Sequence, residues 1–301
     1  MTAPILIRRS NLMVPVADTA RVNDAWRHSA DAVTLDLSGN GDARALVKAA
    51  IAPAAKGAAE VFVRINKDSV QADLEASIWP GLRGIMLPRV ESALEVTQAS
   101  LIIARLERER GIPDGSIQLM VMIESARGVW NVRSIVRSSA RITQAALDEA
   151  ALAADLGLTP LAGHDPFDYA RGRVTVEAIA AKVPPAGMVF ALGVSPREAT
   201  DTEVHTLATR SKNLGMKGVI CPFSSWVAPV NAAFTPTPEL VEWNRRVREA
   251  FAAGVAAGTA AVPLDGKMID VPVDEWAIVV LTMAEACAAR DAEKKAALRR
   301  S

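Results

Sequence analysis

The chain has 301 residues, half of them hydrophobic and 23% charged, a globular profile with ample apolar material for a core. Lysine plus arginine and aspartate plus glutamate each count 34, so no excess of positive charge favours nucleic acid or an anionic membrane. Cys221 and Cys287 are too few for a disulfide framework and fit a reducing, cytoplasmic setting. The opening MTAPILIRRSNLMVP has too short an apolar run for a signal peptide, and no stretch reaches the ~20 apolar residues of a membrane span.

Along the chain, short runs rich in β-branched residues predict strands at Asn11–Val14, Ala32–Leu37, Glu60–Ile65, Gly84–Leu87, Gln118–Ile123, Ile142–Leu147, Met188–Val194 and Gly218–Cys221. Between them Asp42–Lys56, Glu91–Arg110, Arg127–Ser138, Asp168–Lys182 and Arg197–Leu214 carry alanine, leucine and charge at helical spacing. Eight alternations of this kind predict an α/β fold, a parallel (β/α)8 barrel. An open doubly wound sheet would show a glycine-rich phosphate turn after its first strand, where this chain reads VPVADTAR. The barrel is expected over residues 1–235. Residues 236–301 then form a C-terminal helical arm of the same structural unit, with LDGKMIDVPVDEWAIVVLTMAEACAARDAEKK read as one long final helix. Its apolar face (Trp276, Val279, Val280, Met283) needs cover, from its own barrel or from a neighbouring subunit.

Barrel enzymes place reactive groups at the C-terminal ends of their strands. Those positions hold Asp36, Arg64, Asn66, Arg89, Glu91, Glu124, Asp148, Glu149, Ser195 and Cys221. One charge at a strand end is as often a solvated or capping group as a functional one. An arginine among several carboxylates at one rim instead suits a divalent cation and a carboxylate or enolate oxygen. Cys221 lacks an obvious histidine partner, and a strand-end cysteine is usually small packing. His28, His164 and His205 are scattered and form no metal motif.

The strings RRSNLMVP, ADAVTLDL, RIN, GIMLPRVES, MIESARGV, AADLGL, YARGR, VAPVNAAFTPTPELVEW and LDGKMIDVPV follow one another in that order. Together they resemble the family of citrate lyase beta subunits, malyl-CoA lyases and citramalyl-CoA lyases, the HpcH/HpaI-type aldolases. The resemblance runs from about Arg9 to about Val273. It implies a (β/α)8 barrel and a carbon–carbon lyase that cleaves an acyl-CoA thioester to an acyl-CoA and a 2-oxo acid. It implies magnesium as cofactor, coenzyme A as part of the substrate, and a homotrimer or hexamer. By the same resemblance Arg64 would hold the oxo-acid carboxylate and Glu124 would ligate magnesium. Asp270, from GKMID, would act as a catalytic group in a neighbouring subunit's site. Asp36 would bind substrate, Arg9 would stand near the mouth of the site, and Glu91 matches a glutamate with a capping or supporting role.

The chain departs from the family pattern in three places. Where relatives read GAEDLAADLG after the sixth strand, this chain reads DEAALAADLG. Ala150 and Ala151 therefore stand in place of the acidic pair that supplies the second magnesium ligand. LDLSGNG replaces LDLED, putting Ser38 and Gly39 at an acidic pair, and ICP replaces IHP at Cys221. One carboxylate fewer implies weakly held magnesium, unless Asp148 or Glu149 substitutes as ligand. Three functions compete: a lyase with a modified site, a thioesterase attacking the same acyl-CoA with activated water, and a non-catalytic acyl-CoA- or organic-acid-binding barrel.

Overall fold

The computed structural model describes residues 6–38, 41–159, 165–188 and 199–300. Residues 8–234 form one compact unit and residues 235–296 a second. In the first, β1 (Ser10–Pro15), β2 (Ala32–Asp36), β3 (Glu60–Arg64), β4 (Gly84–Leu87), β5 (Gln118–Ile123), β6 (Ile142–Leu147), β7 (Pro185–Ala186) and β8 (Val219–Cys221) make one parallel sheet. Its order is β7-β6-β5-β4-β3-β2-β1-β8. Two backbone hydrogen bonds bring its ends together, Lys217 N to Pro185 O at 2.7 Å and Gly187 N to Gly218 O at 3.0 Å. With helices between the strands, this is the (β/α)8 barrel the sequence predicts. A Cβ on Gly218 would lie 2.0 Å from the Arg8 carbonyl oxygen, so β8 reaches β1 only because this residue has no side chain.

Side chains alternate across each strand, and the alternation decides what reaches the site. Val33, Leu35, Val61, Val63, Ile85, Leu119, Val121 and Ile123 join the main hydrophobic core with the helices. The opposite set faces the lumen, where Met86, Met120, Met122, Ala146 and Ala186 pack with Met13 and Ile220. Unbranched methionine fills such an irregular space without strain. Burying each of the larger side chains contributes about 1.5–3 kcal/mol. At the N-terminal end, Arg8 closes the barrel: its guanidinium meets Glu60 and Gln118, donates to Thr143 Oγ1 at 2.9 Å and lies 4.6 Å from the Phe62 ring centroid.

The helices of this unit are α1 (Thr19–Asp24), α2 (Arg44–Ala55), α3 (Val70–Ser77), α4 (Ala93–Glu109), α5 (Ala126–Ile135), α6 (Glu149–Asp155), α7 (Asp168–Ala180), α8 (Asp201–Asn213) and α9 (Val227–Phe234). The capping in α4 shows why they begin where they do. Ser92 accepts the Glu95 N–H, and Val96, Ala99, Ile103 and Leu106 then form a buried stripe.

The expected seventh strand, Met188–Val194, is corrected. The strand is Pro185–Ala186, Met188 lies outside it, and residues 189–194 are outside the described residues. Pro185 can open a strand because its carbonyl still accepts from Lys217 although it has no N–H to give. In the second unit α10 (Pro238–Ala256) precedes an antiparallel hairpin, β9 (Val262–Leu264) and β10 (Lys267–Ile269), and α11 (Val271–Leu298) follows. The single long helix expected from LDGKMID onward is therefore corrected too. Asp265 and Gly266 both have positive φ, 49° and 74°, the backbone of a tight hairpin turn that an Asp-Gly pair favours. Val247, Ile269 and Ala277 form this unit's core. No helix among the described residues is long and apolar enough to cross a membrane.

Candidate active site at the barrel mouth

Four of the expected residues continue the lumen-facing lines at, or one residue past, the ends of their strands. Asp36 ends β2 and pairs in register with Arg64, which ends β3. Glu124 follows β5 in the line of Met120 and Met122, and Asp148 follows β6 in the line of Ala146. Period two thus aims all four over the mouth. Each is fixed locally: Ser125 caps α5 by accepting the Gly128 N–H at 3.1 Å, and Asp148 caps α6 by accepting the Ala151 N–H at 3.0 Å. Asp36 accepts from the Ser38 N–H at 2.9 Å and its hydroxyl at 2.8 Å. The Arg64 strand end is held through Asn66, which donates to Leu37 O and, at 2.7 and 2.8 Å, to the fully buried Asp73 of α3.

Arg64 lies between two carboxylates, 3.6 Å from Asp36 and 3.4 Å from Glu124. These are loose contacts for a guanidinium. Burial pushes the Glu124 carboxyl above its usual value of 4.5; Arg64 pulls it down, and the Asp148 charge pushes it up again. One oxygen of Asp148 serves as the helix cap, and its Oδ2 has no hydrogen bond among the described residues. A desolvated carboxyl beside a second carboxylate that keeps an oxygen without a hydrogen bond among the described residues suits a divalent cation between them. Among the described residues no group of three or more metal-binding side chains occurs. A cation here would therefore rest on two carboxylates plus water and substrate.

Glu149, the other candidate for the missing ligand, is corrected. Both its oxygens pair with the buried Arg171, at 2.6 Å each, so its carboxylate is already committed. Arg9 is corrected as well. It precedes β1, at the N-terminal end of a parallel strand, opposite the mouth. Its N–H and guanidinium bind the buried Asp31 at 2.8–3.0 Å, an ion pair in the barrel floor. Cys221 is fully buried at the end of β8, and burial pushes its thiol up to about 12, which keeps it protonated and unreactive. Asp270 belongs to the second unit, where its carboxylate accepts the Val273 N–H at 3.3 Å and caps α11. Gly39, His164 and Ser195 lie outside the described residues.

Sequence reasoning named Arg89 and Glu91 but missed Asp155, which ties Arg89 to the loop after Glu124. Arg89 has φ 43°, its carbonyl accepts from Lys67 Nζ at 2.8 Å, and its guanidinium meets Asp155 and Glu91. Glu91 itself supports neighbours, its carbonyl accepting from Asn131 at 2.8 Å. Asp155 stood in plain view within AADLGL; nothing in a linear sequence says that it reaches Arg89.

The profile of the HpcH/HpaI aldolase/citrate lyase family matches residues 9–221. The chain belongs to that family. Among curated relatives of this aldolase/citrate lyase chain, the citrate lyase subunit beta of Leuconostoc mesenteroides subsp. cremoris is 28% identical, over 93% of this chain and 94% of that one. The L-malyl-CoA/beta-methylmalyl-CoA lyase of Cereibacter sphaeroides is also 28% identical, over 94% and 96%. A citrate lyase from Burkholderia xenovorans LB400 superposes with TM-score 0.76 at 15% identity, covering 95% of this chain and 94% of its own. The CitE protein of Mycobacterium tuberculosis, solved with magnesium, acetoacetate and coenzyme A, gives 0.66 at 23% identity, covering 93% and 98%. The HpcH/HpaI family is one of carbon–carbon lyases, and these likenesses place this chain on the same barrel.

Proposed function

We propose that this chain cleaves a carbon–carbon bond beside the thioester carbonyl of a hydroxyacyl-CoA, giving an acyl-CoA and a 2-oxo acid. The observation that carries the reading is Arg64 standing loosely between Asp36 and a desolvated Glu124 at the barrel mouth. A planar, permanently charged fork with weak present partners is free to take the carboxylate of the oxo-acid portion. Asp36 orients that fork from the substrate side. Glu124 and Asp148 are the residues that would hold magnesium, and the cation, when bound, would supply positive charge beside the oxygens of the 2-oxo acid.

Cleavage moves the electron pair of the broken bond onto the carbon next to the thioester, while the hydroxyl proton leaves as its oxygen becomes a carbonyl. The thioester enolate then takes a proton. We assign that proton handling to Asp270 of an adjacent chain in a homotrimer or hexamer, since among the described residues its carboxylate makes one long capping contact and keeps an oxygen for other work.

The test uses the purified full-length protein and a panel of hydroxyacyl-CoA thioesters, assayed in parallel for 2-oxo acid and for free thiol. Formation of 2-oxo acid without thiol is the expected result. Thiol alone would make the protein a thioesterase, and neither product with retained acyl-CoA binding would make it a binding protein.

A further inference from the structure

Asp155, the last residue of α6, touches loops from two other strands. Its Oδ2 accepts the Ala126 N–H at 2.8 Å, two residues beyond Glu124. Its Oδ1 meets the guanidinium of Arg89, two residues beyond β4. Arg89 stands in the left-handed region, at φ 43°, which an L-residue with a long side chain rarely occupies. Such a conformation persists only where its surroundings impose it. They do so here from two sides: Asp155, with Glu91 at 3.3 Å, holds the side chain, and Lys67, itself paired with Glu95 at 2.6 Å, holds the carbonyl. At the other end of α6, Asp148 is the cap. One short helix thus carries a candidate ligand at its start and, at its end, a carboxylate that grips both loops flanking the other candidate.

The Arg89–Asp155 pair is partly solvent-exposed, with side chains 42% and 20% accessible. Exposed pairs contribute little to stability, so its effect is on placement. The geometry points to Asp155 as a positioning residue that holds Glu124 and Asp148 at the spacing a shared divalent cation requires. This rests on the proposed reading of those two carboxylates as the cation's ligands.

Mn2+ binding to the full-length protein without substrate, followed by the paramagnetic resonance of the free ion, reads this directly. Asp155→Asn keeps an oxygen for the Ala126 N–H and removes the charge that holds Arg89; Asp155→Ala removes both. The Asn variant should bind Mn2+ several-fold more weakly and the Ala variant on the order of tenfold more weakly, as for other residues that orient metal ligands. Asp155→Glu should recover most of the affinity, and thermal midpoints should stay close to that of the wild type. A crystal structure of the Ala variant should show Arg89 relaxed to negative φ and Glu124 displaced. Unchanged affinity in both variants overturns the proposal, and so does lost affinity with Glu124 and Asp148 unmoved. If the wild type takes up no Mn2+, the two-carboxylate cation reading fails by itself. The position of Glu124 in the Asp155→Ala structure then still decides the role of Asp155.

Discussion

Arg64 is where charge, position and chemistry converge, so it supplies the sharpest single-residue prediction. Arg64→Ala should lower lyase turnover about 10²–10³-fold, the usual cost of removing one preorganised charge-stabilising donor. Arg64→Lys should recover little, because an ammonium cannot pair with a carboxylate along two parallel hydrogen bonds. Circular dichroism should show both variants folded: Arg64 is partly exposed, and its contacts at 3.4 and 3.6 Å are loose. Wild-type turnover by purified Arg64→Ala would remove it from the mechanism. The second prediction concerns the ligand that the family pattern supplies and this chain, with Ala150 and Ala151, lacks. Asp148→Ala should weaken Mg2+ by on the order of tenfold or more, since magnesium is commonly held by one or two carboxylates. Adding Ala151→Asp to that variant should restore much of the affinity, because residue 151 lies in the first turn of α6, where an acidic side chain suits the helix dipole. Titration calorimetry that finds Asp148→Ala indistinguishable from wild type would exclude Asp148 as a ligand.

At the scale of elements, the buried carboxylate that joins helices to strands is Glu107 of α4. It accepts from Arg141 at 2.6 and 2.8 Å and from the N–H groups of Ile117 and Gly115 at 2.8 and 3.0 Å. It therefore ties α4 to the chain entering β5 and to the residue before β6. Burial alone would raise its carboxyl, but Arg141 and the two N–H groups outweigh that and hold it below its usual 4.5. Glu107→Ala should cost about 3–5 kcal/mol in urea unfolding at pH 7, the range for stripping one partner from a buried pair. A depressed carboxyl contributes fully above its unfolded value and loses that contribution as pH falls through its folded one. The gap between wild type and variant should therefore narrow below about pH 4.5. A gap that is constant from pH 7 to pH 3 would show that packing, not charge, sets the cost. Much of this scale was legible in the sequence: Gly84–Leu87, Gln118–Ile123 and Ile142–Leu147 are strands as read, because β-branched and apolar runs bounded by turns leave little choice. Strand-end position also found Asp36, Arg64, Glu124 and Asp148. The failures have physical reasons. Pro184 and Pro185 disguised a strand in which only the carbonyl was needed, while the Asp-Gly turn was hidden inside an apolar stretch. Arg9 misled because a motif does not say which end of the barrel it occupies. The commitment of Glu149 to Arg171 could not be read, since residues 22 apart in sequence share no local pattern.

At the scale of the whole molecule, the apolar surface of α11 bears on assembly. Trp276 is 62% exposed, with Val279 and Ile278 also exposed, and together they give the helix an apolar surface that a second chain could cover. Of the four residues singled out on this face in the sequence (Trp276, Val279, Val280 and Met283), Val280 is already buried. We expect a homotrimer or a dimer of trimers in which Asp270, at the turn from β10 into α11, completes the site built on Arg64 in the next chain. Sedimentation equilibrium should find an assembly of three or six chains, and Trp276→Glu should shift it toward monomer by placing an unpaired charge in an apolar contact. Complementation tests the shared site itself. Arg64→Ala and Asp270→Ala should each be nearly inactive alone. After gentle dissociation, mixing and reassembly, some interfaces carry an intact Arg64 from one chain and an intact Asp270 from the other. In a random trimeric ring of equal parts, about a quarter of the sites are of that kind, so activity should recover to roughly that fraction of wild type. Asp270→Ala also removes the cap on α11, which costs about 1 kcal/mol. Asp270→Asn, which keeps a capping oxygen, should therefore complement equally well while remaining inactive alone. Proven subunit exchange with no recovered activity, or a monomer with full turnover, would confine each site to one chain.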